Sequence, residues 1–97
     1  MAKPFYDIVD PKRDTPQDIL SVLTYEIGDM HKCLHRIKRY PQDARGYTAE
    51  LKITTADAMT MLHGFIQLMG WKRLDIENLG LERVQERLRD LNERGFY

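Results

Sequence analysis

Four carboxylates on two neighbouring helical segments are the residues in this sequence best suited to chemistry. Glu26 and Asp29 are three residues apart, so they share one face of a helix, which Val22 and Cys33 extend above and below. Glu50, Thr54 and Asp57 form a row at i, i+4 and i+7 on the next segment, and Met61 continues it. Carboxylates gathered in one groove repel each other and resist burial, and a divalent cation among them relieves both penalties. Magnesium takes hard oxygen ligands and keeps several waters, so acids at one-turn spacing on two helices suit it. The charge pattern points the same way. Glu26, Glu50 and Asp57 have no basic residue three or four positions away, and Asp29 has only Lys32. Near the C-terminus, by contrast, Glu86 has Arg83, Asp90 has Arg87 and Arg94, and Glu93 has Arg89, the pairing of a solvated helix face. The unpaired acids call for a counter-charge from elsewhere, a metal first and a distant lysine or arginine second.

The elements that must position these acids are helices. Thr15 is a natural N-cap, Pro16 suits the first helical position and Asp18 the positive helix end, so a first helix starts here. Ile19, Leu23, Ile27, Met30, Leu34 and Ile37 give it one apolar stripe, and Pro41 ends it near Tyr40. Residues 41–47 read as a turn, with Thr48 as N-cap of a second helix and Gly70 as its stop. Leu51, Ala58, Leu62, Phe65 and Met69 form its stripe. From Ala58 to Met69 it is apolar nearly all round, which predicts cover from a partner chain. A third helix is expected from Asp75 or Leu81 to Arg94, with Gly80 kinking or splitting it and Gly95 closing it. If the first two helices pack antiparallel through their stripes, as a short connection favours, both acidic rows face a common groove. The expected fold is therefore all-α. It is an antiparallel helical-bundle protomer of three to four helices over residues 15–97, completed by oligomerisation, with residues 1–14 as an extended arm.

Bulk composition narrows the function classes. The 97 residues fit one domain, and 42% hydrophobic with 31% charged residues is a globular composition. Fifteen basic residues balance fifteen acidic ones, so no overall field favours nucleic acid or an anionic membrane. The single cysteine, Cys33, excludes an intrachain disulfide. With no apolar leader and no apolar run of membrane-spanning length, the expected location is the cytoplasm.

The stretch Glu26-Ile-Gly-Asp29 followed by Glu50-Leu-Lys-Ile-Thr-Thr-Ala-Asp57 resembles the MazG-like, all-α nucleoside triphosphate pyrophosphohydrolases. That family carries E-x-x-E or E-x-x-D on one helix and E-x-x-D on the next. The tail from Gly80-Leu-Glu-Arg-Val to Glu93-Arg-Gly-Phe96 is also similar, so the likeness spans roughly residues 16–97. The resemblance implies a homodimer or homotetramer that cleaves a nucleoside triphosphate to monophosphate and pyrophosphate with magnesium, or manganese in its place. Carried over by position, Glu26, Asp29 and Asp57 would be metal ligands. The family pattern has a glutamate where this chain has Thr54; either Glu50, one turn earlier, partly compensates, or the site holds fewer ions or holds them weakly. The cation would neutralise phosphate charge and acidify a water, and a carboxylate not committed to metal, Glu26 or Glu50, would take the proton. Lys32 and Arg36 flank Asp29 and could touch phosphates, and Trp71 could stack on a nucleobase.

Two other readings compete. Thr54 favours a non-catalytic helical dimerisation or regulatory module that keeps the fold without the site. His31 and His35, four residues apart, would serve a phosphotransfer bundle, but no third ligand or activating neighbour accompanies them.

Overall fold

The computed structural model describes residues 9, 10 and 12–95. The extended arm expected at the N-terminus falls mostly outside those residues, as does Phe96 of the tail. The described chain is three helices with no strand among them: α1 (Pro16–Arg39), α2 (Ala44–Leu68) and α3 (Arg73–Glu93), with a 3₁₀ turn (Pro41–Asp43) between the first two. No helix among the described residues is long and apolar enough to cross a membrane.

α1 begins where its capping residues lie. The Thr15 hydroxyl oxygen accepts the Asp18 N–H at 3.1 Å and donates to the Asp18 carboxylate at 2.8 Å. The helix closes at Tyr40, whose N–H reaches the Arg36 carbonyl. The start of α2 corrects the sequence reading. Residues 44–47 are helical rather than turn, and Thr48 lies inside the helix with its hydroxyl donating to the Ala44 carbonyl at 2.7 Å. The 3₁₀ turn feeds directly into α2, so no side-chain cap is needed at residue 48. Tyr47, in the first turn, then meets Tyr40 (ring centroids 6.4 Å apart) and the Arg36 guanidinium (5.8 Å from the ring).

These contacts tie the end of α1 to the start of α2. Ile19, near the start of α1, lies against Gly64, near the end of α2. The two helices are therefore an antiparallel hairpin with residues summing to about 83 at the same level. Its dry strip is centred on Ile19, Cys33, Thr54 and Ala58; Gly64, under Val9 from the segment before α1, and Ile66, two residues on and so on the opposite face of α2, are also buried. Most of these side chains are small, so the helix axes can approach closely.

Val9 is fixed by Gly64. A Cβ built on Gly64 would lie 2.8 Å from the Val9 Cγ1. Below Val9, the Asp14 carboxylate accepts the Asp10 N–H and the Arg13 guanidinium. The arginine, and then the amide, hold that carboxyl below its ordinary pKa range. A depressed carboxyl contributes its stability at neutral pH and loses it as pH falls through the lowered value.

α3 runs unbroken through Gly80, starting at Arg73 rather than Asp75 or Leu81. It meets α2 only near their junction, does not pack against α1, and contains no buried residue. The Cα radius of gyration is 17.2 Å, where a compact chain of this length would have about 12.5 Å.

Gly64→Ala is expected to separate two effects. Helix propensity gains about 1 kcal/mol, while the clash with Val9 costs about 1–3 kcal/mol. The cheapest relief is to displace Val9, so limited proteolysis should cut residues 9–14 faster while the hairpin melting temperature moves little. A large drop in melting temperature with an uncut arm would contradict this.

Candidate functional site

Glu26, seven residues from both Ile19 and Cys33, is in phase with the hairpin strip and is half-buried, whereas Asp29, Glu50 and Asp57 are exposed. Measured from the strip at roughly 100° per residue, Asp29 on α1 and Glu50 and Asp57 on α2 are rotated the same way, by roughly a quarter turn. In an antiparallel pair that rotation opens onto the same side of the hairpin. The register puts Glu26 level with position 57 and Asp29 level with position 54, with Glu50 one turn further toward the connection. The acidic rows thus share one side and one stretch of the hairpin. They do not close into a chelate: among the described residues, no three histidine, cysteine, aspartate or glutamate side chains are grouped so as to hold a metal ion.

None of the four acids takes part in an ion pair among the described residues. The pairs present are Arg13–Asp14, Arg73–Glu77 and Arg94–Asp90. Four carboxylates with hard oxygen donors and no counter-charge are a donor set whose chemistry fits magnesium better than a soft metal.

Two residues read as neighbours of this set belong to the strip instead. Cys33 is buried, 3% exposed, because the position one turn beyond Asp29 rotates into α2. Thr54 is buried as well, and its hydroxyl donates to the Glu50 carbonyl at 3.0 Å. Between Glu50 and Asp57 the row therefore dips into the helix–helix contact. The signal for this in the sequence is the Leu51–Thr54–Ala58 spacing of three and four, which places Thr54 on the same stripe as its apolar neighbours.

The basic candidates lie toward the connection. Arg36 is on the side of Asp29, two turns further along, with its guanidinium over Tyr47. Lys32 is exposed beside it. Trp71 is placed elsewhere: it packs edge-on against Phe65, with centroids 6.0 Å apart, about 21 Å along the helix direction from Asp57. The structure does not bring it to the acids of its own chain. The described residues show His63 half-buried and His31 and His35 exposed.

No known protein family, curated protein or solved structure matches this chain.

Thr54 supplies a test of the site's geometry. Thr54→Val keeps the shape of the strip and should leave stability within about 1 kcal/mol. Thr54→Glu places a carboxylate in the helix contact and should cost more than about 2 kcal/mol, read by chemical denaturation. A Thr54→Glu variant as stable as the parent without added metal would show that position 54 opens to solvent.

Proposed function

We propose that this chain is a magnesium-dependent nucleoside triphosphate pyrophosphohydrolase, acting as a homodimer or homotetramer in the cytoplasm. The observation that supports this most is the set of four unpaired carboxylates on one stretch of the α1–α2 hairpin, Asp29, Glu50 and Asp57 on one side of it and Glu26 in the seam beside them. The acids of α3 lie instead among arginines at pairing distance in sequence. In this reading Asp29 and Asp57 would hold the cation, with Glu26 and Glu50 as further ligands, one of them not fully committed to the metal. Bound magnesium, or manganese in its place, would neutralise phosphate charge and lower the pKa of a coordinated water.

The chain's own residues supply the rest. Water adds across the α–β anhydride of the triphosphate: one P–O bond forms, the bridging P–O bond breaks, and monophosphate and pyrophosphate leave. A carboxylate accepts the proton that the water loses, and Glu26 and Glu50 are the candidates. Glu26 is half-buried and Glu50 is exposed. Lys32 and Arg36, exposed or half-exposed on the Asp29 side, are placed to meet phosphate oxygens.

The buried Thr54 favours a second reading, a helical dimerisation module without catalysis. A panel of nucleoside triphosphates assayed with and without magnesium separates the two. Pyrophosphate release that needs the metal, and that falls about 100-fold or more in Asp57→Ala with helicity intact, is the expected result. A panel with no cleavage, and a melting temperature unmoved by excess magnesium, would leave the non-catalytic module standing.

A further inference from the structure

Two exposed apolar strips in this chain match each other, and neither is covered by the chain that carries it. The first is on α3. Leu74, Leu81 and Leu88 are seven apart, and Val84 and Leu91 interleave with them at spacings of three and four. That is the heptad pattern of a helix seam. Glu77 takes the one remaining seam position, with Arg73 beside it at 3.5 Å. Leu74, Leu81, Val84 and Leu88 are all exposed, Leu81 by 62%. The second strip is on the side of the hairpin away from the acids. Leu20, Ile27 and Leu34 are again seven apart on α1, with Met59 and Leu62 beside them on α2, and all five are exposed. The α3 seam is about 25 Å long and the hairpin strip about 21 Å.

The junction between α2 and α3 holds the two strips apart within the chain. Gly70 adopts φ +75°, its N–H donates to the Gln67 carbonyl at 2.9 Å, and the Trp71 N–H donates to the Ile66 carbonyl at 3.2 Å. This cap fixes the direction in which the chain leaves α2, and the Trp71 ring edge against Phe65 braces it. Only Trp71 and Lys72 then separate the cap from α3, which departs without touching α1.

The area left open is of the size a dimer closes. A compact monomer of 11.5 kDa exposes about 5,800 Å², whereas this chain exposes 8152 Å². The difference exceeds the ~800 Å² per partner of a standard stable interface.

We propose that α3 of each chain lies on the Leu20–Ile27–Leu34 strip of a second copy, in a reciprocal exchange about a twofold axis. One interface then covers both strips. Pairing α3 with α3 would leave the hairpin strip bare, and its antiparallel form would face Arg73, Arg87 and Arg94 with the same arginine edge of the partner. Pairing strip with strip would leave α3 bare. The exchange also leaves the acidic side of the hairpin open, and it does not rest on the catalytic reading.

The middle of one strip meets the middle of the other whichever way α3 runs, so cross-linking tests the exchange directly. Full-length Ile27→Cys and Val84→Cys chains, unfolded, mixed and refolded together, should form a covalent dimer with a short bifunctional thiol reagent. Neither variant alone should do so, nor should the parent with its buried Cys33. Cross-linking of Val84→Cys to itself, of Ile27→Cys to itself, or no cross-link in the mixture, would overturn the exchange. Independently, Leu81→Glu/Leu88→Glu should lower the mass by light scattering from twice 11.5 kDa to 11.5 kDa, with the hairpin still helical by circular dichroism. A double variant that remained dimeric would overturn it as well.

Discussion

The narrow strip between α1 and α2 is the contact on which every other feature depends. It is built largely from small side chains, Cys33, Thr54 and Ala58, with Ile19 and Gly64 toward the open end of the hairpin. Two helices in contact can dry only the residues between them. The flanks of α1 and α2 therefore remain in water, whatever their chemistry. One flank carries the acids and the other carries Leu20, Ile27 and Leu34. The same strip sets the register that places Glu26 and Asp29 level with Asp57 and Thr54.

Much of this was legible in the residues. Thr15, Pro16 and Pro41 bracket α1 because each acts on its own neighbours: a hydroxyl on an orphan amide, a ring without an N–H, and a steric limit on Tyr40. Gly70 and Gly95 mark helix ends because the left-handed backbone there disfavours a side chain. The start of α2 was not legible. Thr48 has the chemistry of a cap, but a 3₁₀ turn at 41–43 supplies the first carbonyls, and the Tyr40–Tyr47 contact rewards an earlier start. Gly80 was equally ambiguous. A glycine costs an exposed helix about 1 kcal/mol, and good helix formers such as Leu81, Glu82 and Arg83 outweigh that. Local sequence alone does not decide such a sum.

The acidic site was legible in its phase and not in its closure. Helical periodicity is enough to put Asp29, Glu50 and Asp57 on one side, with Glu26 in the seam beside them, once the hairpin is antiparallel. Whether the carboxylates converge depends on rotamers and counter-charge, and like charges without a cation favour rotamers that point apart. The same limit explains Cys33 and Thr54. Spacing assigns them to the acidic rows, but a shift of one position around the helix moves a side chain by about 100°, and the tight strip claims both.

The hairpin connection has a consequence for the order of events in folding. α1 and α2 are joined by only four residues, Tyr40 to Asp43, and their contacts nest outward from that point. Low contact order of this kind goes with fast collapse, in microseconds to milliseconds. Closure from the loop outward would bring Val9 to Gly64 last, since they lie at the far end of the zipper. The hairpin can thus be complete as each chain is made, before any encounter between chains and at a rate independent of their concentration.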